Sequence, residues 1–397
     1  MIVFAGADLV LPDRVLPRSS IVIDGDRIAA IEPAIIDGPA HATRVDLSGC
    51  VIVPGFIDVH VHGVEGHDVL DDGDAVRAVA SRLPRYGVTA FCPTSIACAP
   101  AALRAMLRAI DAARTDRADG MARVLPAHLE SNFINPSYKG AQPETCLRTI
   151  RAADGEFTGQ QIVDVLVEQR ANVGIVTLAP EIDGGIELVQ QLRAAGHIVS
   201  IGHTGATYEE ACDAFDAGIT HATHLFNRMT PMSHRAPGVP GAVLNADHVK
   251  AELICDGFHV HPALMRMAIR TKGAAAVLAI TDGTAGSGLA VGSRTRLGGR
   301  PIRVTARTAE LDDGTLAGSV LTMDGAFRTL VNTVGASLVD AAWMCATTPA
   351  RQLGLSELGR IEVGAMADLA LLGSDLRVRG TYIAGHPWRN PSRLENV

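Results

Sequence analysis

The sequence predicts an α/β protein, a (β/α)8 TIM-like barrel with a small β-sandwich domain built from both chain termini. The first observation is length, because 397 residues exceed the roughly 250 of a typical barrel. The second is that apolar, strand-like runs alternate with helical patterns through the middle of the chain. The third is that both ends contain short alternating segments and turns. We therefore expect residues 1–50 and 356–397 to form one small domain, and residues 51–355 to form the barrel.

Both ends of the chain have the pattern of short β-strands. Residues 20–23 and 27–31 are apolar segments on either side of a turn at residues 24–26. Residues 359–364 and 367–372 have the same composition near the other end. This shared composition predicts one small domain that both termini complete.

Eight apolar runs in the middle of the chain have the length and composition of buried parallel strands. The segments between them have helical patterns, as in Pro100–Ile110, where apolar residues recur at helical spacing. Eight such pairs favour a closed barrel. The predicted strands are Val51–Val59, Gly87–Pro93, Arg123–Leu129, Val173–Leu178, His197–Gly202, Ile219–Leu225, Lys250–Phe258 and Ala275–Ile280.

Composition and charge exclude several classes of protein. With 47% hydrophobic and 20% charged residues, the chain is not intrinsically disordered. A net charge of −8 and the absence of any Lys/Arg run argue against nucleic acid or a membrane surface as the partner. Seven cysteines without a CxxC pair fit a reducing compartment, and no signal peptide or membrane span is recognisable. We therefore expect a cytoplasmic protein.

Side chains suited to metal binding follow the ends of five predicted strands, where barrel enzymes hold their active sites. His60 and His62 end strand 1 and share one face of an extended chain, so both can point at one metal ion. Taken alone, such a pair is structural about as often as it binds metal. A Glu with two neutral imidazoles and an open position makes a competent zinc or iron site. The other strand-end residues are Glu130, His203, His224 and Asp282.

The remaining histidines have a simpler interpretation. His221 lies three residues before His224 and so faces the other side of a strand. We expect His221 and His128 to be polar groups satisfied behind the strands. The histidines expected on the surface or in loops are His41, His67, His234, His248, His261 and His386.

Several of these segments together resemble a known family. Residues 54–63 resemble the strand-1 signature of the metal-dependent amidohydrolase superfamily. The superfamily's common lysine on strand 4 is missing from residues 173–178, and Glu130 takes its place. With Glu130 in place of that lysine, the chain is similar to the N-acetylglucosamine-6-phosphate deacetylases. The resemblance extends over nearly the whole length of the chain. The other matching segments are residues 128–130, 202–204, 223–227, 256–260, 281–282, 313–319, 349–351 and 367–369.

The resemblance implies one or two divalent metal ions per subunit, zinc in the first instance and iron as the alternative. The ligands of the main ion are Glu130, His203 and His224. His60 and His62 would hold a second ion, with Glu130 bridging the two.

The resemblance also implies roles around the substrate. Asp282 is the general base and His259 steadies the substrate carbonyl group. Asn227 contacts the phosphate together with Arg235, which reaches in from the neighbouring subunit of a homodimer. The alternative for Arg235 is an ordinary solvated loop charge. A guanidinium group suits phosphate because its planar donors can bind two oxygens at once.

Some positions depart from the family pattern and bear on the choice of substrate. Ser131 and Asn132 replace the usual Gly-Pro after the strand-3 Glu. Gln142 stands where a His is common, and Arg228 replaces a small residue after Asn227. We place Gln142 and Arg228 with the substrate-binding residues.

The sequence therefore predicts a deacetylase that removes the N-acetyl group of an amino-sugar phosphate, with N-acetylglucosamine 6-phosphate as the first substrate to test. The alternative enzyme acts on another N-acyl compound, such as N-acetylgalactosamine 6-phosphate or an acylated amino acid. A non-catalytic binding protein on an inherited barrel is a second class, since fold alone does not determine function. Such a protein would be expected to have lost ligands, and here all of them are present.

Overall fold

The computed structural model describes residues 1–152 and 155–388 and contains a barrel together with a separate mixed sheet built from both chain ends. The fold class predicted from the sequence is thereby confirmed. Each barrel strand is parallel to its neighbours and is followed by at least one helix. We number the strands 1 to 8, and their bounds are Phe56–Val61, Val88–Ser95, Ala127–Glu130, Val173–Leu178, Ile198–Ile201, His221–Ala222, Lys250–Ile254 and Val277–Ile280.

The barrel closes where strand 8 meets strand 1. The Asp282 N–H donates to the His60 carbonyl at 2.9 Å, and the His62 N–H donates to the Gly283 carbonyl at 2.8 Å. Closure places the C-terminal ends of these two strands side by side. The imidazoles of strand 1 therefore lie next to the carboxylate that follows strand 8.

Helices cover the outside of the barrel. The one over Pro100–Thr115 begins with Pro100, at a position where no backbone N–H is needed. Its residues Leu103, Leu107 and Ile110 recur at helical spacing and are buried. The helices are Ala75–Arg82, Pro100–Thr115, Gly159–Glu168, Gly185–Ala194, Tyr208–Ala217, Gly238–Asn245, Pro262–Lys272, Met323–Arg328, Leu338–Ala342 and Thr348–Gln352, with π-helical turns at Thr329–Val334 and Trp343–Thr347.

The sheet from the chain ends has its own core. Phe4, Ile21 and Leu369 come from distant parts of the sequence and are fully buried together. Residues 389–397, which the sequence assigns to this small domain, lie outside the described residues. The strands are Ile2–Val10, Val15–Asp24, Arg27–Glu32, Thr43–Asp46, Val51–Pro54, Leu369–Leu372, Val378–Ile383 and His386–Pro387.

The predicted first barrel strand, Val51–Val59, is two strands in the structure. Val51–Pro54 pairs with Leu369–Leu372 in the sheet of the chain ends, and strand 1 begins only at Phe56. Gly55 lies between them, where any side chain would overlap Thr89. The chain thus passes from one sheet to the other at a residue without a side chain.

The predicted strands 6 and 7 are too long. Strand 6 covers only His221–Ala222, and strand 7 ends at Ile254. The residues beyond these ends form loops, and those loops carry His224 and His259.

A small antiparallel sheet follows strand 8 and forms one wall of the barrel mouth. Its strands are Arg294–Leu297, Arg300–Val304 and Ala309–Leu311, and Leu297 points toward the cavity described below. A hairpin of Gly63–Val64 and His67–Asp68 lies after strand 1. Within residues 1–152 and 155–388, no helix combines the length and the apolar character that crossing a bilayer requires.

Candidate metal centre and substrate cavity

The candidate site is a cavity at the C-terminal end of the barrel that is open to solvent. Its floor carries predicted metal ligands, and its walls come from the loops after strands 3, 6 and 7 and from the segments after strand 8. His60 lies beneath this floor and is fully buried. The lining residues are His62, Ile96, Glu130, Gly140, Ala141, Gln142, His203, His224, Asn227, Arg228, Ile254, His259, Asp282, Leu297, Leu316 and Gly318.

Four imidazole groups converge on the carboxylate of Glu130. The Nε2 atoms of His203 and His224 lie 3.1 and 2.9 Å from Glu130 Oε1, and 3.1 Å from each other. His60 Nε2 lies 3.4 Å from the same oxygen, and His62 Nε2 lies 3.8 Å from Glu130 Oε2. The structure thus brings together all five residues that the sequence predicts as metal ligands.

The outer nitrogens of three of these rings are bound to acceptors. The Nδ1 atom of His60 is 3.0 Å from Glu252 Oε2, that of His62 is 3.0 Å from the Thr94 carbonyl, and that of His203 is 2.9 Å from the Tyr138 carbonyl. Each Nδ1 must therefore carry the proton and donate. In the neutral ring the Nε2 lone pair is then left facing the Glu130 cluster.

This arrangement of donors fits a divalent metal ion. The ligand atoms of Glu130, His203 and His224 lie within 4.8 Å of one another, and so do those of His60, His62 and Asp282. The buried His60 Nε2 has no hydrogen-bond partner among the described residues. Lone pairs aimed at a carboxylate repel it unless a cation lies between them, and imidazole and carboxylate donors suit zinc and iron.

The charges around Glu130 are also compatible with a bound cation. Burial alone would raise the pKa of Glu130, but the surrounding imidazoles hold it well below its ordinary value. Burial alone would lower the pKa of His62, but Asp282 and Glu130 raise it. The carboxylates therefore stay ionised and attract positive charge, which either protons or a metal ion can supply.

The backbone around the site is strained. Among the non-glycine residues that the structure describes, nine have positive φ, and five of these lie at or beside the cavity. Such conformations persist only where the surrounding structure holds them, and they cluster at functional sites. The five are His203, His224, Phe226, Arg228 and Asp282, with φ of 48°, 29°, 78°, 50° and 49°.

Asp282 lies against the strand-1 histidines. Its Oδ1 atom is 3.2 Å from His62 Nε2 and 3.4 Å from His60 Nε2. The carbonyl of Asp282 accepts from the Ser319 N–H at 2.7 Å, and Gly318 passes so close that a Cβ there would lie 2.8 Å from that carbonyl oxygen. The carboxylate is thus held beside the predicted metal ligands while still reaching the cavity.

His259 faces the cavity from the loop after strand 7. Its Nδ1 donates to Asp256 Oδ2 at 2.6 Å, while Asp256 Oδ1 accepts from the backbone N–H groups of Phe258 and His259. Burial alone would lower the pKa of His259, but Asp256 raises it. The ring is therefore oriented by its own loop, with Nε2 left to interact with a ligand.

The predicted substrate-binding residues lie in different environments. Asn227 and Arg228 line the cavity, and Arg228 passes over Gly140, where a Cβ would lie 2.8 Å from its Nε atom. Gln142 also lines the cavity, but it is buried, accepts from the Ala97 N–H at 2.7 Å and donates to Glu130 Oε2. Arg235 is exposed on the loop after strand 6 and does not line the cavity of its own chain.

Two of the departures from the family pattern are internal. The Ser131 hydroxyl donates to the Thr177 carbonyl at 2.6 Å, and the Asn132 amide donates to the carbonyls of Cys98 and Cys146. Both side chains are buried, and neither residue lines the cavity. Of the four departures, only Gln142 and Arg228 can contact a ligand there.

Glu252 supports the predicted metal ligands from below, and the sequence interpretation missed it. It lies in strand 7, is fully buried, and accepts from His60 Nδ1 at 3.0 Å and from the His224 N–H at 3.2 Å. Its other oxygen lies 2.9 Å from His221 Nε2. The available signal was a carboxylate between the apolar residues Ala251 and Leu253 of strand 7.

His128 and His221 are satisfied as expected, but inside the barrel beneath the cluster rather than behind the strands. The ring of His128 lies 4.6 Å from that of His60 and bonds to the Val59 carbonyl and to Thr177 Oγ1. Burial lowers the pKa of His128 to about 3, so the ring is neutral. His221 contacts Glu252, and its Nδ1 lies 3.3 Å from Gln352 Nε2.

Comparison with known proteins agrees with this geometry and confirms the resemblance found in the sequence. Residues 51–387 match the amidohydrolase family. The chain is 35% identical over 384 residues to N-acetylglucosamine-6-phosphate deacetylase of Bacillus subtilis (strain 168), covering 95% of this chain and 94% of that protein. It is 34% identical over 360 residues to N-acetylgalactosamine-6-phosphate deacetylase of Escherichia coli O157:H7, covering 90% and 91%.

A solved structure supports the same assignment. A mutant of N-acetyl-D-glucosamine-6-phosphate deacetylase from Mycobacterium smegmatis, in complex with N-acetyl-D-glucosamine-6-phosphate, superposes with a TM-score of 0.86 at 32% identity. The superposition covers 97% of this chain and 98% of that one. The chain therefore belongs to the amidohydrolase family of metal-dependent hydrolases and, within it, to the N-acetylglucosamine-6-phosphate deacetylases.

Proposed function

We propose that this enzyme hydrolyses the N-acetyl group of an amino-sugar phosphate, with N-acetylglucosamine 6-phosphate as substrate and glucosamine 6-phosphate and acetate as products. The observation that carries the proposal is the convergence of four imidazole Nε2 atoms on Glu130 beside Asp282, in a cavity that also presents Arg228. Hydrolysis of an amide needs an activated water, a carbonyl stabiliser and a proton donor, and the cavity contains residues suited to each step.

In this proposal Glu130, His203 and His224 hold the main metal ion, and His60 and His62 provide for a second. A divalent ion there would lower the pKa of water and polarise a carbonyl group. Zinc is the first metal to test and iron the second, because both accept this donor set.

Asp282 acts as the proton carrier. Its Oδ1 atom contacts His60 and His62, so the carboxylate is fixed at the floor of the cavity, where an attacking water must lie. The same carboxylate can take the proton of that water and return it to the leaving nitrogen. Burial alone would raise the pKa of Asp282, but His62 and His60 lower it, so the group is ionised at neutral pH and ready to accept.

His259 donates from Nε2 to the substrate carbonyl oxygen. The contact with Asp256 fixes its orientation and favours the protonated ring, so the donor is in place before charge develops on that oxygen.

Recognition of the phosphate is assigned to Asn227, Arg228 and Arg235, and Gln142 also lines the cavity. Arg228 lies in the cavity of its own chain, whereas Arg235 is exposed on a loop outside it. Arg235 would then act in a homodimer, by reaching the cavity of the partner subunit. The seven cysteines are free, which supports a cytoplasmic location.

A second candidate substrate is N-acetylgalactosamine 6-phosphate. Arg228 lines the cavity and can meet a sugar hydroxyl of changed configuration, whereas the Gln142 amide is already bonded to Ala97 and Glu130. The E. coli O157:H7 relative carries that name.

The test is an acetate-release assay over both N-acetyl sugars, each with and without the 6-phosphate, after loading with zinc or iron. We expect turnover only with metal and a strong preference for the phosphorylated sugars. Equal turnover of phosphorylated and free sugars would contradict the proposed substrate class.

A further inference from the structure

A second and larger cavity opens at the opposite end of the barrel, and we call it the lower cavity. It has a volume of about 760 Å³ and lies at the N-terminal ends of strands 4 and 5, where Val173 and Ile198 line it. The segments 123–126 and 352–355 complete its walls. Glu130 and its surrounding histidines lie at the other end of the strands, so the lower cavity is separate from the candidate metal centre.

The lower cavity is lined by positive charge. Its lining includes Arg114, Arg117 and Arg123 and, within residues 1–152 and 155–388, no acidic residue. Asp368 neutralises Arg123 through two hydrogen bonds of 2.9 and 3.1 Å. The chain as a whole has a net charge of −8, so this concentration of positive charge runs against its composition.

The other two arginines lack such partners. Arg114 donates to the Ala171 carbonyl and to Asn172 Oδ1, both at 2.7 Å, and both acceptors are uncharged. Arg117 Nη1 is buried and has no hydrogen-bond partner among the described residues. Neither forms an ion pair in the described part of the chain.

The pKa of Arg117 reflects this setting. Burial lowers it, and the positive charge of Arg123 lowers it further, while Asp368 and Asp119 act in the opposite direction. An anion bound beside Arg117 would offset the positive charge of the neighbouring Arg123.

Apart from Gln352, the other side chains of the wall are apolar. Val124, Leu125, Val173, Ile198 and Leu353 provide surface for an uncharged organic group next to the arginines. Cavities of several hundred Å³ with few polar groups are typical of small-molecule sites. Two unneutralised guanidinium groups match a dianion better than a single carboxylate, and their planar donors suit phosphate oxygens.

We propose that the lower cavity binds a small organic phosphate, with the phosphate group between Arg114 and Arg117 and the organic part against the apolar wall. The site lies outside the catalytic cavity and does not depend on the substrate proposed above.

The test is calorimetric titration of the full chain with inorganic phosphate and with glucose 6-phosphate, which has no acyl group to hydrolyse. An Arg235→Met background weakens the phosphate site proposed for the catalytic cavity, where Asn227 and Arg228 remain. In that background we expect saturable binding that depends on Arg114 and Arg117, with glucose 6-phosphate binding more tightly than inorganic phosphate. Equal affinity for glucose 6-phosphate and inorganic phosphate would contradict the proposed contact between the apolar wall and the organic part of the ligand.

Arg117→Gln and Arg114→Gln, each added to this background, should weaken binding at least about tenfold, the effect of losing one charge-assisted hydrogen bond. Arg108→Gln is the matched control, because it makes the same charge change on an exposed position of the same helix as Arg114. Arg114 is also exposed, so Arg114→Gln decides the question if Arg117→Gln fails to fold. Absence of saturable binding, or equal affinity in Arg114→Gln and Arg108→Gln, would overturn the proposal.

Discussion

Replacement of Glu252 by Gln isolates the role of the carboxylate beneath the metal cluster. The change keeps the shape of the side chain but removes its charge and one acceptor. The oxygen that remains can still face His60 Nδ1 and the His224 N–H, which now lie 3.0 and 3.2 Å from Glu252 Oε2. The new amide N–H would face His221, which can move its proton to Nδ1 if the amide of Gln352 turns over. We therefore expect Glu252→Gln to fold.

The expected loss lies in metal affinity. A charge-assisted hydrogen bond to His60 becomes a neutral one of about half the strength, so His60 Nε2 becomes a weaker donor to metal. Loss of such outer partners costs about 10–100-fold in metal affinity, or about 1.4–2.8 kcal/mol. Glu252→Leu removes every acceptor and should also destabilise the fold, by about 1–3 kcal/mol for each donor left unpaired.

The assay combines metal content by mass spectrometry, metal affinity by chelator competition, and free energy of unfolding by denaturant titration. Glu65→Gln is the matched control, because Glu65 is partly buried and likewise accepts hydrogen bonds, from Tyr86 and Arg85, but does not line the cavity. Unchanged metal affinity in Glu252→Gln would refute the reasoning. Equal losses in Glu252→Gln and Glu65→Gln would refute it as well.

The remaining predictions concern the cluster and the phosphate. His203→Ala should remove most bound metal and nearly all activity, which metal analysis and acetate release will show; full metal content would end its assignment as a ligand. His60→Asn with His62→Asn should lower the metal count while the main ion remains, and an unchanged count would mean a single ion. Asp282→Asn should keep the metal and lose at least about 10²-fold in kcat, as expected for a lost general base, whereas near-normal turnover would leave it a structural role. Arg235→Met should raise KM for the phosphorylated sugar at least about tenfold, with little effect on the free sugar. Mixing it with Asp282→Asn under subunit exchange should restore activity if Arg235 acts across the dimer, and no recovery would exclude a shared site.

The barrel and the convergence of the strand-end residues could be predicted because each follows from a local rule. Parallel strands buried on both faces are continuous apolar runs, and Val173–Leu178 has the same bounds in sequence and structure. Barrel closure then brings the strand ends together, so His60 of strand 1 meets Asp282, which follows strand 8. At Gly55 the run of apolar residues continues although the chain passes from one sheet to the other. The boundary between these two strands could therefore not be predicted.

The supporting contacts could not be predicted, because they depend on which strands are neighbours and on side-chain direction within the barrel. Ser131 and Asn132 look like changes at the mouth, yet both turn inward to backbone carbonyls. Arg235 gives no signal that separates a solvated loop charge from a residue that reaches a partner subunit, and its position outside its own cavity is compatible with both.

Glu252 shows what a sequence can still reveal about such support. An ionised carboxylate in the middle of a barrel strand is costly to bury unless several donors meet it. Here it faces His60, His221 and the His224 backbone, and these contacts hold its pKa well below the ordinary value although burial alone would raise it. In this barrel the buried Glu of strand 7 is matched by histidines from strands 1 and 6. Because the same carboxylate fixes His60 and the backbone at His224, it joins the two halves of the ligand set into one unit.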